Sequence, residues 1–199
     1  FIASRMGQKK ALLFGTYGAI GTSVLMFCLM VWGDPGSFSF TNISFFTIAF
    51  CLLWIFQKGF SGISGNIVIP MTADCADYET YRTGKYVPGL MGTLFSFVDK
   101  VISSLASTIV ALMFALVGYA QEVPTDKSPW SEGLFWVVVI AFTIVPIIGW
   151  LCNVVAMKFY PLTKEKMEEI QEKIAEIKAK NLAENEAAAA AEAVEAELP

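Results

Sequence analysis

Lys100 poses the sharpest chemical question in this sequence. It lies about 11 residues into an apolar stretch that begins near Gly89, roughly 16 Å along a helix. An ammonium at mid-bilayer costs from about 2.5 to over 10 kcal/mol, so it needs water or a carboxylate beside it. Gly92, Ser96, Lys100, Ser103 and Ser107 recur at helical spacing and form one small, polar stripe. Two readings stay open. The stripe is either one wall of a wet cavity with the lysine at its centre, or a helix–helix interface of small residues with Lys100 neutralised or paired to Asp99. Neighbouring helix residues point about 100° apart, so Asp99 and Lys100 do not easily satisfy each other. Lys58, beside Gly59 in an earlier apolar stretch, either lines the same cavity or snorkels along a glycine-rich face.

The second cluster is acidic. Asp74 and Asp77 are i,i+3 and share a face if the helix before them continues. Tyr78, Glu79 and Arg82 follow. A helix C-terminus disfavours negative charge, so cations are expected to hold the pair. Arg82, or basic groups of another helix bundle, would close a charge latch on that side of the membrane. The alternatives are a solvated loop and a divalent-metal site of the prenyl-transferase kind, which needs a second acidic cluster. The expectation is no metal.

Other chemistries are excluded by residue type. The 199 residues contain no His, hence no triad and no His metal ligand. Cys28, Cys51, Cys75 and Cys152 lie far apart and read as packing residues. Residues 1–163 carry nine Lys/Arg and eight Asp/Glu, a net of +1, while 164–199 carry five Lys and ten Glu, a net of −5. No basic face exists for nucleic acid. With 55% hydrophobic and 16% charged residues and a mean hydropathy of +0.57, the chain is not a soluble domain.

Four stretches are long enough to span a bilayer as helices, about 11–32, 41–71, 89–120 and 133–160. Their apolar runs are continuous, so the class is an all-α membrane protein. Arg5, Lys9 and Lys10, then Arg82 and Lys85, then Lys158 fall on one side. Only Lys127 falls on the other, with Asp34, Glu122, Asp126 and Glu132. The lysine and arginine bias makes the first side cytoplasmic, including the basic loop 1–10 and the charged tail 161–199. Within the tail, Met167, Ile170, Ile174 and Ile177 form an apolar stripe, and Glu169–Lys173 and Glu176–Lys180 are favourable i,i+4 pairs. A solvated, fraying amphipathic helix is expected. The first residue is Phe1 and no signal peptide is visible, so a piece of a longer protein is expected.

Ala73-Asp74-x-x-Asp77-Tyr78, the turn Thr83-Gly84-Lys85, Gly89, and Lys100 in the next helix together resemble the glycoside-pentoside-hexuronide:cation symporters, the melibiose-permease-like branch of the major facilitator superfamily. Gly7-Gln8-Lys9-Lys10, Leu116-Val117-Gly118-Tyr119 and Phe159-Tyr160-Pro161-Leu162-Thr163 are similar as well. The resemblance implies the last four of twelve helices in a multi-pass cell inner membrane protein, with an N-terminal bundle and two further helices lying outside this chain. It implies cation-coupled symport of a glycoside or related sugar by alternating access, and no enzyme activity. Lys100 matches a membrane-embedded lysine beside the sugar and cation sites, and Asp74 and Asp77 match acids of the cytoplasmic closure. Ser96, Asp99, Lys58 and Phe95 are the further candidates at the sugar and cation site, and Asp74, Asp77, Tyr78 and Arg82 those at the gate. Phe95 and Phe97 would border the sugar. The implied partners are a sugar, a monovalent cation (Na⁺ or H⁺) bound mainly by helices outside this chain, and the lipid bilayer, with no other cofactor. A non-transporting sensor or partner-binding protein of the same fold is the alternative.

Overall fold

The computed structural model describes residues 6–84, 88–120, 124–125 and 128–176. The described residues form four long apolar helices and no strand. Helix α1 is Gln8–Trp32, α2 is Phe45–Thr83, α3 is Pro88–Leu116 and α4 is Glu132–Phe159. A further helix, α5, covers residues 164–176.

Helices α1 and α2 make the main packed pair. Ala11, Gly15, Ala19 and Ser23 recur every four residues on the buried side of α1. Small residues at that spacing let helix backbones approach closely, which is how helices associate where the hydrophobic effect is absent. The approach is tightest at Gly15. A Cβ there would sit 2.8 Å from the Phe60 carbonyl oxygen and 3.0 Å from the Ser64 nitrogen, so only glycine fits.

Helix α2 runs well past Met71, to Thr83. Its 39 residues make roughly 58 Å, about twice the hydrocarbon thickness, so one end stands outside the membrane core. Ser44 caps its start by accepting from the Thr47 N–H at 3.1 Å. Gly84, with φ of 72°, ends it in the left-handed conformation, its N–H bonded to the Thr80 carbonyl at 2.8 Å.

Helix α4 is broken in its middle by a π turn over Ile140–Ile144, where the Val145 N–H reaches back five residues to the Ile140 carbonyl. Pro146 follows one residue after the turn. Proline cannot continue the ordinary ladder, and the wider turn absorbs the defect. The buried Thr143 hydroxyl fills part of it by donating to the Val139 carbonyl at 2.6 Å.

Helix α3 ends at Leu116, short of residue 120, and lies almost wholly open: none of its most apolar window is buried within the chain. The tail differs from the expectation of a solvated helix. The stripe is there, but it is covered. Ile170 and Ile174 are buried with Leu162, against Cys75, Tyr78, Tyr81 and Tyr160. The end of α2 that overshoots the membrane supplies the surface on which α5 docks. Glu169 pairs with Lys173 at 3.2 Å as the spacing implies. Ile177 and the Glu176–Lys180 pair lie outside the described residues, wholly or in part.

Candidate functional site

Phe95, Ser96, Asp99 and Lys100 all lie on α3, and all are exposed. Lys100 stands near the middle of the helix. Asp99 and Lys100 form no ion pair with each other, as the 100° offset predicts, and none with any other described residue. No described helix covers the Ser96–Lys100 face. The interface reading therefore finds no partner helix among the described residues.

Lys58 is exposed on α2, and its ammonium lies 5.9 Å from the centre of the Trp54 ring, one turn earlier on the same helix. Around it, α2 is bare: a Cβ added at Gly59, Gly62 or Gly65 would meet nothing within 4 Å. The two unpartnered faces, on α2 and α3, carry the two intramembrane lysines.

The acidic pair lies in the last third of α2, and its partners among the described residues are polar side chains of two other elements. Asp77 accepts a hydrogen bond from the Gln171 amide of α5. Asp74 has the Gln8 side chain, at the start of α1, as its hydrogen-bond partner. Two neutral amides hold the carboxylates. Arg82 pairs instead with Glu79, at 3.4 Å. The reason is angular. Arg82 is five residues from Asp77, about 140° around the helix, but three from Glu79, on the same face. Tyr78 is partly buried, packs against the tail cluster and has Tyr81 as a ring neighbour at 6.5 Å.

This end of the molecule is knitted from four elements. The Lys9 ammonium donates to the Tyr160 carbonyl at 2.6 Å, tying α1 to the end of α4. The Lys173 ammonium lies 5.2 Å from the Tyr81 ring centre and 3.3 Å from its hydroxyl. Two buried polar atoms, Gln8 Oε1 and Tyr160 Oη, have no hydrogen-bond partner among the described residues. A groove of about 290 Å³ opens here, with Gln8, Asp74, Met167 and Gln171 in its walls.

A second polar constellation escaped the sequence reading. Thr16 of α1 and Ser64 of α2 share a hydrogen bond of 3.2 Å in the buried interface. Asn153 of α4 donates to the Thr16 hydroxyl at 2.9 Å, so three helices meet at one oxygen. Gln57 of α2 donates to Ser23 of α1 at 2.9 Å. Each residue taken alone is unremarkable in sequence; the signal was the every-fourth-residue pattern of small residues on α1.

The sequence profile of the family described as MFS/sugar transport protein matches residues 1–164. A glucuronide carrier protein homolog of Escherichia coli is 28% identical over 170 residues, 85% of this chain and 33% of the relative. An isoprimeverose transporter of Lactiplantibacillus pentosus is 25% identical over 184 residues, 92% of this chain and 34% of the relative. A putative 2,3-dihydroxypropane-1-sulfonate exporter of Escherichia coli is 27% identical over 175 residues, 85% of this chain and 33% of the relative. The chain thus spans about one third of the length of these curated relatives. No solved structure gives a significant match. Four bilayer-length helices and a match across most of the length lead to one conclusion: the chain is a membrane protein that belongs to the MFS/sugar transport protein family.

Proposed function

We propose that these helices form part of a secondary active transporter that couples uptake of a glycoside or related sugar to a monovalent cation. The observation that carries the reading is the open face of α3. Ser96, Asp99 and Lys100 stand exposed in the middle of an apolar, bilayer-length helix, with no partner side chain among the described residues and with Phe95 beside them. A charge so placed is tolerated where water, substrate or carboxylates reach it.

In this reading α3 and the bare face of α2 line a midplane site, and a second bundle closes the far wall. The two bundles rock to expose the site to each side in turn. Lys100 competes with the coupling cation, Na⁺ or H⁺, for carboxylates of that second bundle. Phe95 offers a ring face to the C–H face of a pyranose. Asp74 and Asp77 close the side that carries residues 161–199, which the lysine and arginine bias makes cytoplasmic. The relatives' names support a sugar-type cargo for this chain, and one of them names a sulfonate.

The test is transport by the full-length carrier in membrane vesicles. A labelled glycoside should accumulate only while a Na⁺ or H⁺ gradient is imposed. Binding without transport would favour a sensor of the same fold, and uptake indifferent to both gradients would remove the coupling.

A further inference from the structure

Where the chain leaves α4 and turns into α5, it passes the first turn of α1 and encloses a chamber of about 440 Å³. Gly7, Lys9 and Lys10 line one side, and Thr163, Lys164 and Glu165 the other. We infer that this chamber is a binding site for the phosphodiester headgroup of an anionic membrane lipid.

Charge points to an anion. Three lysines and one carboxylate line the chamber, and that carboxylate is engaged. Its own backbone N–H, the Thr163 hydroxyl, and Lys10 and Lys164 hold Glu165 below the usual carboxyl range. Lys9 is fixed by its bond to the Tyr160 carbonyl, and among the described residues Lys164 has one ion pair, a long contact of 3.9 Å with Glu168. Lys10 makes no ion pair with a described residue. The backbone adds to the same sign. Gly7, with φ of 81°, caps α1 without a side-chain acceptor, and the first turn holds no acid, so among the described residues no side chain caps its N–H groups.

Depth points to a lipid and not to a free ion. Lys10 directly precedes 22 residues, Ala11 to Trp32, that carry no charge. The chamber therefore lies at headgroup level, at the edge of the hydrocarbon. Basic pockets at that level, between membrane helices, hold anionic headgroups. An acyl chain also has a track to follow. Phe14, 48% exposed, and Tyr17, 58% exposed, stand one and two turns below Lys10 on the same face of α1, with Gly21 beneath them. A headgroup bound here would bridge α1 to the strap that leads into α5, across the Gly7–Lys164 contact, where a Cβ on Gly7 would come within 3.2 Å of the Lys164 Cβ.

The full-length carrier is reconstituted in nanodiscs with equal dioleoylphosphatidylglycerol and dioleoylphosphatidylcholine, released into detergent, and the retained lipid measured by native mass spectrometry. The phosphatidylglycerol should be retained preferentially. The double variant Lys10→Gln/Lys164→Gln should weaken that retention by about 25-fold, at about fivefold for each basic residue near a membrane surface. Lys10→Arg/Lys164→Arg should preserve it, which separates loss of charge from loss of fold. Equal retention of the two lipids, or undiminished retention by the glutamine variant, overturns the site. Displacement of the lipid by millimolar inorganic phosphate overturns the lipid as its ligand.

Discussion

The contact at Gly15 permits a controlled prediction. Replacing Gly15 with Ala adds one methyl group, whose carbon would fall 2.6 Å from Ser64 Oγ, 2.8 Å from the Phe60 carbonyl oxygen and 3.0 Å from the Ser64 nitrogen. Two of the three are backbone atoms of α2 and cannot rotate away, so the helices must part. Overpacking of this kind costs about 1–3 kcal/mol. Parting also stretches the hydrogen bonds that meet at Thr16, one residue away, from Ser64 at 3.2 Å and from Asn153 at 2.9 Å. Hydrogen bonds between membrane helices average about 0.6 kcal/mol each. The expected loss is therefore about 2–4 kcal/mol, read as a shift in the unfolding of the purified protein by SDS titration in mixed micelles, followed by circular dichroism. Gly21→Ala on the same helix is the control. Its Cβ would meet nothing within 4 Å, so stability should stay within about 0.5 kcal/mol or rise through helix propensity. If Gly15→Ala unfolds together with Gly21→Ala, the close approach of α1 and α2 is wrong.

Two further predictions concern the tail. Ile170 is fully buried, so Ile170→Ala should undock α5 and speed trypsin cleavage at Lys166 and Lys173 by about tenfold or more, since burial of that size is worth about 2 kcal/mol or above. An unchanged cleavage rate would leave α5 as a solvated helix. The Lys166 ammonium, which donates to Glu169 at 2.9 Å, followed by that of Lys173, holds the Glu169 carboxyl below its usual range. Its folded value is depressed, so its contribution to α5 is complete above the ordinary carboxyl value and is lost as pH falls through the lowered one. Amide exchange in residues 164–176, corrected for its intrinsic pH dependence, should show protection falling on acidification below about pH 4. Glu169→Gln should flatten that dependence, and a dependence that survives the substitution would place the titrating group elsewhere.

Hydropathy made the four spans legible, because a bilayer demands long apolar runs and few other features imitate them. It says less about where the helices themselves end. The segment after Met71 contains Asp74, Asp77, Glu79 and Arg82, which lower hydropathy without discouraging a helix, so α2 continues to the left-handed Gly84. The stripe Met167–Ile170–Ile174 was plain in the sequence, but periodicity states only that a face is apolar and not what covers it. The cover, Tyr78 and Tyr81, lies about 90 residues away. The Thr16–Ser64–Asn153 meeting was illegible for the same reason, its members being 48 and 137 residues apart. At the acidic pair, residue type suggested cationic partners, on this chain or on another bundle; the amides of Gln8 and Gln171, from two other elements, could not be read from spacing. Lys100 was found from sequence because an ammonium within an apolar run is conspicuous. Its surroundings were not, since no described helix packs on its face.

The most direct experiment removes that ammonium from the complete carrier. Lys100→Ala should still bind a labelled glycoside, within a fewfold of the parent, yet fail to accumulate it against a gradient in energised vesicles. Accumulation at the parent's level would show that the charge on α3 plays no part in coupling.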